Sequence, residues 1–129
     1  MVALACKATA PGPVDAPLAQ VASVQLIDAA TGNNVTSHLA LYPPYSSQVY
    51  VHLFEAGGQQ IAALTDAPVA FGVTFSPSSL ATAITDSVLL SVVVTPTAAS
   101  NTPGTWSIHL HSAASMTDKV FGPFNVLIH

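Results

Sequence analysis

An all-β sandwich of about seven to nine short strands is the fold class that this sequence predicts, and three observations predict it. Val, Ile, Thr, Phe and Tyr gather in short runs separated by Gly, Pro, Asn and Ser. No window carries a convincing 3.6-residue apolar period, so helices are not expected. The uneven connections suit Greek-key crossings between two sheets better than the uniform meander of a barrel. At 129 residues the chain is long enough for one two-layer core and too short for two domains.

The elements follow in order. Residues 1–20 read as an Ala- and Pro-rich leader, and residues 21–129 as the sandwich. Val21–Ile27 is the first strand, closed by the turn-forming stretch Asp28–Asn34. Val35–Leu41 follows and ends at Pro43 and Pro44. Gln48–Phe54 is the clearest strand, and Glu55–Gly58 makes a hairpin-type turn into Gln60–Leu64. Val69–Phe75 comes next, then the Ser76–Ser79 turn and a short Leu80–Ile84 strand. Val88–Val94 is apolar on both faces, as a central strand would be. A loop from Thr95 to Gly104 leads to Thr105–His111. Val120–Ile128 closes the sheet, with Gly122 and Pro123 marking a bulge or an edge.

Three of these segments carry a resemblance. Val21–Leu26, Val49–Gly58 and Phe71–Ala83 look like successive strands of bacterial immunoglobulin-like (Big-type) domains. In that family one strand ends in an acidic residue and glycine, and a later one carries an aromatic residue before a Ser/Pro turn and a Leu-Ala-Thr segment. A Gly-Thr-led strand, here Gly104–Leu110, then precedes the last. Phe71 stands where that family has a tryptophan, and the histidines of the penultimate strand depart from its pattern. The resemblance implies an immunoglobulin-like Greek-key sandwich and an extracellular, non-enzymatic module used in adhesion, in surface layers or as a spacer.

Composition bounds the function. Only 6% of residues are charged and half are apolar, against roughly 25% charged in an ordinary soluble domain. Lys7 and Lys119 are the only basic side chains apart from five histidines, and the formal net charge is -4. Nothing neutralises phosphates, so a nucleic-acid partner is excluded. The polybasic route to anionic membranes is excluded for the same reason. Cys6 is the single cysteine, so no internal disulfide forms. Val2–Cys6 resembles the end of a bacterial lipoprotein signal. This makes Cys6 a lipidation candidate and the leader a semi-stiff tether to a membrane.

The strand pattern sorts the faces. Alternation puts Val49, Val51 and Leu53 inside and leaves Tyr50, His52 and Phe54 looking outward. That row is either covered by the Tyr42–Tyr45 segment or held in a contact between copies. Trp106, Ile108 and Leu110 face in, while Ser107, His109 and His111 face out. Few Lys or Glu gatekeepers protect the sheet edges. Val2 and Leu4 lie in an apolar leader segment able to pair with an exposed edge of a neighbouring copy.

Chemistry is sparse. His109 and His111 place two imidazoles on one strand face, a half-site for copper or zinc, with Asp118 as a helper. His52 would sit on the opposite sheet, outside that site. Asp28, Asp66, Asp86 and Asp118 occupy turns without paired-carboxylate spacing, and no phosphate loop or nucleophile elbow is present. The expectation is a non-enzymatic, extracellular or cell-surface protein that self-associates, as a filament or layer subunit. Its interface would be Tyr50, His52 and Phe54 with Val2 and Leu4. The alternatives are a lipid-anchored monomeric adhesion or spacer module and an extracytoplasmic copper- or zinc-binding protein.

Overall fold

The computed structural model describes residues 12–129, so the leader positions Val2, Leu4 and Cys6 lie outside the described residues. Ten strands occur among the described residues: β1 (Val14–Ala16), β2 (Ser23–Asp28), β3 (Leu39–Leu41), β4 (Ser47–Phe54), β5 (Gln60–Leu64), β6 (Val69–Ser76), β7 (Ala81–Asp86), β8 (Ser91–Pro96), β9 (Pro103–Ser112) and β10 (Thr117–Ile128). They form two sheets. One runs β1-β5-β4-β8-β7 with β2 also on β4, and the other runs β3-β10-β9-β6. From β1 and β2 the chain crosses to β3, returns for β4 and β5, crosses to β6, returns for β7 and β8, then crosses again to β9 and β10. The two sheets make an all-β sandwich, closed by parallel pairing of β3 with β10 from Leu39–Val126 to Leu41–Ile128.

Period-two alternation builds the core. Val49, Val51 and Leu53 of β4, with Leu26, Val92 and Val94, face Trp106, Ile108 and Leu110 of β9 and Val126 and Ile128 of β10. All are buried, and each such aliphatic side chain contributes roughly 1.5–3 kcal/mol on leaving water. Trp106 stacks on Phe75 with ring centroids 6.0 Å apart and meets Phe124 edge-on at 6.4 Å. Its buried indole N–H has no hydrogen-bond partner, so its place rests on packing alone.

Local chemistry sets the turns. The β4–β5 hairpin closes through Gly58 N–H to Glu55 O and Glu55 N–H to Gln59 O, both 2.9 Å. Gly58 supplies the left-handed φ of +88° that this turn requires. The β9–β10 register slips between Phe121 and Phe124 at the anticipated Gly122–Pro123 bulge. Gly104 answers a different need. A Cβ there would lie 2.6 Å from Leu80 Cδ2 and 2.7 Å from the Ser76 carbonyl oxygen, so only hydrogen fits.

β4 has three partners for two edges. β2 lies along one edge from Val49 to Phe54. On the other edge β8 pairs with Ser47–Tyr50, and β5 pairs with Leu53 and Phe54. The sheet forks between them, and β5 leans away to pair in parallel with β1.

Several sequence boundaries move: the strand expected over Val35–Leu41 keeps only Leu39–Leu41, and the last strand starts at Thr117 rather than Val120. The sandwich starts before residue 21: β1 joins the first sheet, Ala16 and Leu18 are buried, and Leu18 N–H bonds Asp66 Oδ1 at 3.0 Å. Small residues and prolines hide this short piece, because Pro13 and Pro17 limit β1 to three residues. The segment read as Val88–Val94 begins instead at Ser91 and runs to Pro96. Asp86 Oδ1 accepts the N–H groups of Val88 (2.9 Å) and Leu89 (3.1 Å) and folds 87–90 into a turn.

Leu18→Ala is expected to lower unfolding free energy by about 2–5 kcal/mol, the cost of a buried leucine truncation. A change near zero in urea denaturation would return residue 18 to the leader. Gly104→Ala should cost about 1–3 kcal/mol by overpacking against Leu80 and the Ser76 carbonyl, read from the shift in denaturation midpoint.

Candidate functional site

The outward row on β4 is half-buried along its whole length. Tyr50 stands between Ile27 of β2 and Ser91 of β8, His52 beside Gln25, and Phe54 between Ser23 and Gln60. Apart from Ile27, the flanking residues carry amide or hydroxyl side chains. The Tyr42–Tyr45 segment does not provide the cover. All four of its residues are exposed, and Tyr42 stacks on His129 with centroids 4.8 Å apart.

The largest apolar exposure lies at the end of the edge strand β7 and in the turn that follows it. Ile84 is 76% exposed on β7, and Val88 and Leu89 are 89% and 62% exposed in the β7–β8 turn. Aliphatic residues are unusual at turn positions, where Gly, Asn, Asp and Ser dominate. Leu90, next in line, holds a left-handed φ of 50° that leucine rarely adopts, and its carbonyl accepts the Val51 N–H at 2.8 Å. The sequence signal was present but overridden. Asp86–Ser87 is turn chemistry, yet the following Val-Leu-Leu reads as strand.

Beside this turn the fork opens a cleft of about 520 Å³. Val51 and Leu53 of β4, Ala62 and Ala63 of β5, Pro68 and the 87–90 turn enclose most of it. His52, Gln60 and Ser87 are its polar contributors, and no charged side chain among the described residues lines it. His52 is therefore the one member of the outward row that reaches this site. A second, shallower groove of about 610 Å³ lies between the edge strands β6 and β7, with Val73, Phe75 and Ala83 against Thr74 and Thr82.

The histidines divide as their strands do. His52 belongs to the first sheet, whereas His109 and His111 lie on β9 in the second. His109 Nε2 is 3.1 Å from Thr74 Oγ1, and His111 Nδ1 is 2.6 Å from Asp118 Oδ1. Asp118 thus engages one histidine of the pair. Among the described residues no three His, Cys, Asp or Glu side chains converge as a metal-binding group.

Asp66 ties the loop below the cleft to two distant segments. Its carboxylate accepts Ser115 Oγ–H at 2.5 Å and the Leu18 N–H at 3.0 Å, and its carbonyl accepts Ser112 Oγ–H at 2.9 Å. Ser115 above all holds its carboxyl below the usual carboxylate range. Partial burial works against that shift, and the Leu18 N–H adds to it. Ala67 and Pro68, which follow directly, are walls of the cleft.

The chain matches no protein-family model, no curated protein and no solved structure.

Because folding lowers the Asp66 pKa, its contribution to stability is fully present above the unfolded value of about 3.9 and is lost as pH falls through the lower folded value. Asp66→Ala should cost about 1–3 kcal/mol at neutral pH by orphaning the buried Leu18 N–H. It should also flatten the acid limb of the stability–pH curve. Equal acid limbs for both proteins would remove Asp66 from that role.

Proposed function

We propose that this chain is a non-enzymatic structural module of an extracellular or cell-surface assembly and that it works by self-association. The single observation that carries the reading is the Ser87–Leu90 turn, which presents two aliphatic side chains to solvent on a surface with almost no charge. An apolar protrusion beside an uncharged cleft marks an interaction site rather than ordinary surface. Copies of one chain are the simplest partner, because most soluble oligomers are homo-oligomers.

The free edges of β6 and β7 support a second contact of the same kind. Among the described residues each edge strand has one row of backbone groups unpaired within its sheet, and lysine, the usual guard against pairing, is absent from both. Residues 2–10 of a neighbouring copy, with Val2 and Leu4, are short and mostly apolar, Lys7 being their one charge, and could add there as a strand. Repeated in one direction, that addition yields a filament or layer. The extracellular setting draws on the resemblance to bacterial immunoglobulin-like domains and on the lipoprotein-like pattern at Cys6.

Sedimentation velocity across the micromolar to millimolar range, with negative-stain microscopy of the same samples, tests the proposal. Species at multiples of the chain mass that grow with concentration are expected. A single monomeric boundary throughout, with no ordered particles, would end it.

A further inference from the structure

We infer that two copies of this chain interlock, the Ser87–Leu90 turn of each lying in the cleft at the sheet fork of the other. The inference rests on the self-association proposed above and names its contact. Three anchors hold the turn ready. Asp86 Oδ1 fixes the Val88 and Leu89 amides, Leu90 is kept in a left-handed conformation, and the Leu90 carbonyl is bonded to Val51 of the central strand. A non-glycine residue persists in that conformation only when its surroundings determine it. The turn therefore displays Val88 and Leu89 in one geometry, and little ordering is left to be done when they are covered.

The cleft suits that guest. Its walls at Ala62, Ala63 and Pro68 are short, and its floor at Val51 and Leu53 is aliphatic. No charge would be stripped of water when an aliphatic pair enters. The turn forms one wall of the cleft but does not fill it, so knob and hole sit side by side on the same molecule. A two-fold axis at that lip brings each turn to the other copy's cleft, the self-complementary arrangement of an isologous dimer. The area is of the right order. The exposed parts of Val88 and Leu89 amount to roughly 250 Å² per copy, so two turns and the walls that meet them bury on the order of 1,000 Å², the size of a specific but weak, concentration-dependent contact.

The test is complementation between two variants of the whole chain. Ala63→Trp fills the cleft and leaves the turn intact, whereas Val88→Ser/Leu89→Ser shrinks the turn and leaves the cleft open. Size exclusion with light scattering reads each alone and as an equimolar mixture, and circular dichroism melts check folding. The wild-type chain is expected to dimerise and each variant alone to lose at least tenfold in dimer affinity. The mixture should regain a heterodimer, because the turn of the first fits the cleft of the second. A wild-type dimer unaffected by either variant, or a mixture that stays monomeric although both variants fold, overturns the interlock and leaves self-association standing. A wild-type chain that is monomeric throughout overturns both. Should Ala63→Trp fail to fold, Ala67→Trp at another exposed lining position of the cleft takes its place, and the same outcomes decide.

Discussion

A β-strand has two hydrogen-bonding edges, and β4 must share its two among β2, β5 and β8. β2 claims one edge from Val49 to Phe54 and leaves the other to be divided. β8 takes the Ser47–Tyr50 half and β5 the last two residues. Most of the distinctive structure follows from that division. β5, with little of β4 to hold, finds its remaining partner in β1 and so draws residues before 21 into the sheet. The cleft is the space left where the two branches part. Its floor is β4 itself, whose inward side chains are already committed to the core, so the cleft cannot close without displacing Val51 or Leu53.

The surface is lean in charge without being uniformly apolar. On the outer face of the first sheet, glutamine and serine stand with Ile27 among Tyr50, His52 and Phe54, and most of the rings' neighbours are polar. Ser46 and Thr95 bond to each other at 2.7 Å on that sheet, using hydroxyls where charged pairs would be usual. Apolar exposure is concentrated at the β7 end, where three aliphatic residues fall within six positions of the chain. The only contact of salt-bridge geometry among the described residues, His111 with Asp118, is itself exposed on the second sheet. Such a pair adds little stability. The fold is held by packing and by backbone bonds, with side-chain hydrogen bonds at a few junctions such as Asp66.

Strands that alternate strictly were legible in the sequence. In β4 and β9 every second residue is a large apolar one, and the structure buries that set in both. Glycine marked the β4–β5 turn and the β10 bulge for local steric reasons that act wherever those residues stand. β1 and Leu18 were hidden because their value depends on residues nearly fifty positions away, at Ile61 and Asp66. The Val88–Leu90 turn was misread because three aliphatic residues imitate a strand when the capture of two amides by Asp86 is not considered. No sequence pattern announces the cleft, since it arises from the unequal division of an edge. His52 came into view as part of an outward row, but the row's relation to the fork is a property of tertiary pairing.

The closure of β3 by β10 has a bearing on how the molecule is made. Leu39, Ala40 and Leu41 find their backbone partners only in Val126, Leu127 and Ile128, and the His129 N–H bonds the Leu41 carbonyl. During vectorial synthesis an early strand therefore waits, unpaired, for almost ninety further residues to emerge. The nascent chain carries an open sheet margin until Val126–Ile128 emerge. Timing, as much as composition, would then govern whether a protein this poor in charge meets its own last strand or a stranger's first.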